Sequence, residues 1–412
     1  MVTQYLDLIL YAVAMVSILV IFLPFSPMTI DIVNFSRDTQ LKIFLNRHIL
    51  WTIGIICFAV LLGRGVMDYA DKAWLWTALI SIGVLAFMFW SGYVPYVMTP
   101  PQDPKIMTPE EGDKVIKQDE VVIGLVHGGE VRAYSRDAIS RPHFYTDTVG
   151  GTPVTISYCI LCNSGMAFKN EIKNKPMNLG CVTAYNNNII YRDLKTGNFI
   201  QQLDGKVIHG PDKGEQLDFL PTVMTTWKEW KELHPDTKLY YAPAKSLRDK
   251  MVGLMLSMMI PIHKLARRSK PWHRIQGKLD TRLPAMSFVY GVELNGDTCA
   301  YPTSFLRDHP VHNDTVGGEP IVVLYDTKRD IGAIYSRNIE GSVLEFEAVS
   351  ADASSPGAIA VDKQSGSHWD ITGTAKDGSY SGQTLQGIPH YNKIFWFSWA
   401  LFKNNTKVSM AT

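Results

Sequence analysis

Long apolar runs dominate the first hundred residues, and short alternating apolar and polar positions dominate the rest. From Leu8 to Leu23 the chain carries no charge, with Ser17 as its polar side chain, between Asp7 and Pro24. A second run, Ile49 to Val66, is broken near its end by Arg64, whose long stem can carry its charge to the headgroups. A third, Ala73 to Val97, opens on AWLW and closes on FWSGYVPYV, the Trp and Tyr placement that membrane interfaces favour. Crossing the hydrocarbon takes about 20 apolar residues; the first and third runs reach that and the second is marginal. The pattern predicts a membrane region over 1–98, with three spans at about 6–25, 49–66 and 73–97. The first run has neither a basic leader nor a small-residue cleavage site, so it reads as an anchor rather than a signal peptide.

A linker rich in Pro and charge follows at 99–118, and then the pattern becomes strand-like. GLVHGGEVRAY alternates around Gly128-Gly129, and GVELNGDTCAY around Asn295-Gly296, both strong hairpin signals. Asp147-Thr-Val-Gly-Gly151 recurs as Asp314-Thr-Val-Gly-Gly318 at the same offset of 167 residues. The endings TTWKEWKELHPDT and NKIFWFSWALFKNNT predict short helices with aromatic residues at i and i+3. A tandem duplication accounts for this register, with units at 119–241 and 286–408. The fold class predicted is three N-terminal transmembrane α-helices followed by a β-rich α+β soluble domain made of two homologous subdomains. Between the units, the connector 242–285 flanks a short apolar core, Met251 to Ile262, with Arg248, Lys250, Lys264, Arg267, Arg268 and Lys270. Such a segment suits a membrane surface, or equally a Met-rich helix packed on protein.

The 412 residues carry a formal charge of +1, which gives no electrostatic case for nucleic acid. The partners expected are the lipid bilayer and, through spans and connector, other membrane protein subunits. Arg37, Lys42 and Arg47 in the first loop, with Lys105, Lys114 and Lys117 after the third run, face only Arg64 and Lys72 on the other side. Taken alone, that bias puts the large domain in the cytoplasm.

Five cysteines (Cys57, Cys159, Cys162, Cys181, Cys299) are too few and too scattered for a disulfide framework. Cys159-Ile-Leu-Cys162 is the one constellation that carries chemistry. At the repeat offset its thiols face Asp326 and Arg329, while Tyr158 and Gly165 face Tyr325 and Gly332. A scaffold kept twice with thiols placed once points to a role local to the first unit. Two thiolates on a strand-turn-strand knuckle suit zinc or copper, with Cys181, His143 and His209 as candidates for further ligands. The pair can instead exchange thiol for disulfide, although thioredoxin-like activation needs a helix after the first Cys, where this sequence reads as strand. A third expectation is a non-enzymatic accessory or assembly subunit of a membrane complex. No Walker loop, Rossmann fingerprint, GxSxG elbow or HExxH occurs.

These motifs together resemble the DUF3179 family. Its GVxxxGxxxAYP-like strand pair, NDTVGG, YCPLCG-like, YNSNL-like and TTWxEW-like elements match Gly124 to Tyr134, Thr146 to Gly151, Tyr158 to Asn163, Tyr185 to Ile189 and Thr225 to Trp230. The family's Pro and Gly in the Cys motif are Ile160 and Asn163 here, and its His falls on Pro142, with His143 next; His309 holds that place in the second unit. The resemblance implies the fold unit rather than a reaction. It also implies an extracytoplasmic domain, because many members resemble secreted or lipid-anchored proteins.

Overall fold

The computed structural model describes residues 2–67, 72–98, 103–243, 246–259, 267–349 and 355–410. Three helices in it are long and apolar enough to cross a membrane: α1 (Val2–Phe22), α2 (Arg37–Val66) and α3 (Lys72–Gly92). The marginal second run lies inside the longest of them. At about 1.5 Å per residue, the 30 residues of α2 span about 45 Å, well beyond the ~30 Å of hydrocarbon. Ser36 caps its start by accepting from the Thr39 N–H. The third span ends earlier than predicted, because Tyr93 leaves helical geometry and a separate turn, Val94–Val97, begins. Arg64 does more than reach toward headgroups: its Nε donates to Asp7 Oδ1 of α1 at 2.6 Å. Helices α1 and α2 approach closely at Gly54, where a Cβ would lie 2.8 Å from Ile18 Cγ1.

The stretch predicted as linker is partly built into the domain, since Lys105–Met107 pairs with Lys238–Tyr241 at the edge of a five-stranded sheet. That sheet continues through β1 (Val121–His127) and β2 (Glu130–Ser135), whose predicted hairpin turns at Gly128-Gly129 with both φ positive. A second sheet joins β3 (Phe144–Val149), β4 (Thr152–Cys159) and β5 (Ser164–Lys169) in antiparallel order. A third runs β6 (Leu179–Tyr185), β7 (Asn188–Asp193), β8 (Phe199–Gln201) and β9 (Lys206–His209). Strand β10 (Thr222–Thr226) returns to pair with β1, and α4 (Trp227–Leu233) follows behind a Thr226–Glu229 capping box.

The connector contains α5 (Leu247–Met259); residues 260–266, which include the end of the predicted apolar core, lie outside the described residues. Beyond it come β11 (Phe288–Leu294), β12 (Asp297–Pro302), β13 (Val311–Val316), β14 (Glu319–Asp326) and β15 (Ile331–Ser336). Near the end β16 (His390–Phe395) pairs with β11 and leads into α6 (Trp396–Phe402). One apolar core takes Ile123, Ile156, Cys159 and Cys162 from the first stretch together with Ile394, Phe395, Trp396 and Trp399 from the last. Another joins Phe25, Phe44 and Phe89 of the helical bundle to Val182, Ile190 and Phe199, so the β6–β9 sheet sits directly on the bundle.

Candidate functional site

Strands β4 and β5 end on the Cys159–Ser164 pair, which leaves a four-residue loop, 160–163, at the hairpin tip. Asn163 closes it at φ +53, a left-handed position that Gly fills at no steric cost and Asn tolerates. This explains why Asn can stand where the resembling motif has Gly. The loop brings Cys159 and Cys162 together: both are free, buried thiols, and Cys162 Sγ lies 3.8 Å from the Cys159 carbonyl oxygen. The backbone N–H groups of Leu161 and Cys162 also point at the Cys159 sulfur.

The two sulfurs stand in different surroundings. Asn188 Nδ2 donates to Cys162 Sγ at 3.3 Å, and Ser164 Oγ lies 3.1 Å from it. Gln202 ties this shell together, accepting from Asn188 at 2.5 Å and Ser164 at 3.0 Å and donating to Ser157 Oγ at 2.9 Å. Gln201 fixes Asn188 from the other side, 2.7 Å from Nε2 to Oδ1. Ser398 of α6, fully buried and with no other partner, faces the same sulfur. Burial would raise the Cys162 thiol, but its polar neighbours Cys159, Ser164, Asn188 and Ser398 outweigh it and draw it down to about 7. Burial pushes Cys159 well above its ordinary value, and its hydrogen bond to Cys162 adds to that. Its thiol reaches Asn187 O at 3.3 Å. The site is therefore one acidic thiol beside one reluctant thiol.

The hairpin is held from the far end of the chain. Asn163 takes Tyr158 OH on its Oδ1 at 2.8 Å and donates Nδ2 to Lys393 O at 2.7 Å. Phe395 N–H donates to Cys162 O at 3.1 Å.

The predicted further ligands are not gathered with the pair. Cys181 is buried with its thiol donating to Pro142 O at 3.0 Å, and burial raises it well above its ordinary value. His143 is buried, its Nδ1 3.0 Å from Tyr158 O, and burial lowers its imidazole toward the neutral form. His209 is exposed on the edge strand β9, 5.7 Å from the Phe199 ring. Among the described residues no group of three or more His, Cys, Asp or Glu converges as a metal site would require. The sequence left Ser157, Ser164, Asn188, Gln202 and Ser398 unnoticed. Ser164 and Asn188 had a signal, since Ser164 stands between Cys162 and Gly165 and Asn188 lies in the Tyr185–Ile189 motif.

The family described as "Protein of unknown function (DUF3179)" matches residues 93–406 in one continuous stretch. The chain belongs to the DUF3179 family. The DUF3179 match begins at Tyr93, where the third span ends, and runs across both β-rich stretches and the connector. No curated protein matches the chain. No solved structure matches it.

Proposed function

We propose that this DUF3179 protein holds, at a bilayer, a buried dithiol that cycles with its disulfide, with Cys162 as the attacking thiolate and Cys159 as the resolving thiol. The observation that carries this is the unequal setting of the two sulfurs: Cys162 Sγ has Asn188 Nδ2 at 3.3 Å and Ser164 Oγ at 3.1 Å, while Cys159 Sγ faces the Asn187 carbonyl at 3.3 Å. The oxidant is a small-molecule disulfide. Cys162 thiolate attacks one of its sulfurs, forming a mixed disulfide and releasing one thiolate. Cys159 then loses its proton and displaces the second thiolate, closing the Cys159–Cys162 bond; two electrons have passed to the oxidant. An extracytoplasmic domain, as the family resemblance implies, suits such an oxidant, and a reporter fused at Thr412 tests that sidedness. The α5 helix strengthens the anchoring, for Leu247, Met251, Leu254 and Met258 are exposed at one-face spacing and α5 packs beside α3.

The duplication gives this site its contrast. Supporting it, Trp230 covers Gly124 and donates to Thr237 at 2.8 Å, while Trp399 covers Gly291 and donates to Thr406 at 2.9 Å. Tyr134 donates to Asp147 at 2.8 Å, and Tyr301 to Asp314 at 2.7 Å. On this view Ser157 and Ser164 beside the thiols are answered by Leu324 and Ile331.

Holding zinc or copper is the second possibility, favoured by the two free thiols at one hairpin tip. One experiment separates them. Full-length protein purified in detergent without chelator is assayed for metal, equilibrated in glutathione buffers, and its free thiols trapped and mapped by mass spectrometry. Exchange predicts metal-free protein in which Cys159 and Cys162 lose and regain thiols together. Near one equivalent of zinc or copper, lost in Cys159→Ser/Cys162→Ser, selects the metal. Metal-free protein whose two thiols never oxidise overturns both.

A further inference from the structure

Where the bundle meets the β6–β9 sheet, donors gather without acceptors. The Arg47 guanidinium lies 4.0 Å from the Phe44 ring centre, and Arg192 lies 5.8 Å from the same ring and 5.7 Å from Phe199. Arg47 donates Nη1 to Phe44 O, but neither arginine forms an ion pair among the described residues. Arg192 Nε is buried with no partner. The neighbouring carboxylate, Asp193, is engaged elsewhere, accepting from the backbone N–H groups of Asn178, Lys195 and Thr196. Tyr93, only 3 % exposed, sends a buried hydroxyl into this region with no hydrogen-bond partner among the described residues. Its ring meets Phe25 edge to face, and Phe25 in turn packs on Phe44.

The charges sense one another. Burial lowers the Arg192 guanidinium and the Arg47 charge lowers it further, while the Asp193 carboxylate offsets part of this. Burial raises the Tyr93 phenol, against the pull of Arg47, so its O–H remains a donor. Two cations and an O–H donor sharing one apolar seat are stabilised by an anion, which removes the repulsion and satisfies the orphaned donors at once. The depth of the seat names its source. Helix α2 exceeds the ~30 Å hydrocarbon by about ten residues. Arg47 is the eleventh residue of α2 and precedes the apolar run at Ile49, which puts it at the level of lipid phosphates.

We propose that Arg47, Arg192 and Tyr93 form a binding site for the phosphate of an anionic membrane lipid, seated between the helical bundle and the β6–β9 sheet. The site is independent of the thiol chemistry. Arginine suits it because its planar fork can grip a phosphate through two parallel hydrogen bonds. A bound lipid would then hold the sheet that carries Asn188 against the bundle.

The test uses full-length protein delipidated in detergent, titrated with phosphatidylglycerol, phosphatidylcholine or inorganic phosphate. Bound lipid is counted by native mass spectrometry and protection followed by thermal unfolding. Phosphatidylglycerol is expected to bind at one copy and raise the unfolding temperature, with phosphatidylcholine binding at least tenfold more weakly. Arg192→Gln and Arg47→Gln should each weaken phosphatidylglycerol binding about tenfold, Tyr93→Phe less, and Arg192→Lys should restore part of the loss by keeping the charge. Equal binding of both lipids, or wild-type binding by Arg47→Gln/Arg192→Gln, overturns the site. Protection by inorganic phosphate equal to that by the lipid overturns the lipid as its source.

Discussion

The hairpin that carries the thiols and the hairpin at 326–331 have the same frame and opposite fillings. Both close a four-residue loop with a left-handed residue, Asn163 at φ +53 and Asp330 at φ +55. Both direct two backbone N–H groups at the first side chain: Leu161 and Cys162 at the Cys159 sulfur, Lys328 and Arg329 at Asp326 Oδ1 at 2.9 and 3.1 Å. Both bring the first and fourth side chains together, as Cys159 with Cys162 or as Asp326 with Arg329, 2.8 Å from Oδ2 to Nη1. Lys393 stands between them, lending its carbonyl to Asn163 and its ammonium to Asp330 at 2.5 Å. The frame thus dictates a close pair of first and fourth side chains, and the surroundings decide its chemistry. Arg329 is partly exposed and reaches out toward Glu232 at 3.9 Å, while Cys162 is shut inside a polar shell. A salt bridge suits the first setting and an acidic thiol the second.

The comparison rests on a frame of equal strength in both places, and the largest effects test that. Trp230→Ala and Trp399→Ala each remove a fully buried ring from above a glycine. Each should cost about 3–5 kcal/mol, read as similar falls in thermal unfolding temperature in detergent. A large loss from one and none from the other would break the likeness. Next comes exchange of fillings. Cys159→Asp/Cys162→Arg puts a larger ion pair where Cys159 and Cys162 are 2 % and 0 % exposed, and should destabilise by roughly 3 kcal/mol or more. The reverse, Arg329→Ala, should cost no more than about 1 kcal/mol, because the pair is partly solvated and Asp326 keeps its backbone donors.

Much of the frame was legible in the sequence because turns depend on local chemistry. Gly128-Gly129, Asn295-Gly296 and the two Gly-Gly turns at 150 and 317 all adopt positive φ, as their residue types require. The three spans were legible as apolar runs, but the true start of α2 was not. Its first turns carry Arg37, Asp38, Lys42 and Arg47, which a search for apolar residues passes over. The shell around Cys162 was illegible for a different reason. Ser164, Asn188, Gln202 and Ser398 come from separate elements spread over more than two hundred residues, and only packing brings them to one sulfur. Among the described residues no third His, Cys, Asp or Glu converges with that pair into a metal-holding group, which spacing alone had left open.

A smaller effect sharpens the role of that shell. Asn188→Leu removes one donor to the thiolate, so the Cys162 thiol should rise by about one pH unit, in line with ~1.5 kcal/mol for a charge-assisted hydrogen bond. Alkylation of Cys162 at pH 7 should then slow several-fold. Ser398→Ala should act in the same direction and less strongly, since only one shell member is lost and no charge moves. Either variant reacting at the wild-type rate would show that the shell does not set the acidity.

The central claim is that the two buried thiols are unequal, and alkylation rates across pH 5–10 test it most directly. Reduced full-length protein is pulse-labelled with iodoacetamide, and Cys159 and Cys162 are quantified separately by mass spectrometry. Because the thiolate is the reacting form and Cys162 is drawn down to about 7, its rate should climb as pH rises through 7 and level off above about 8. Cys159, pushed upward by burial, should stay slow throughout and react only after Cys162 is blocked or at the alkaline limit. A Cys162 rate still rising beyond pH 9, or a Cys159 that reacts first, would contradict the account.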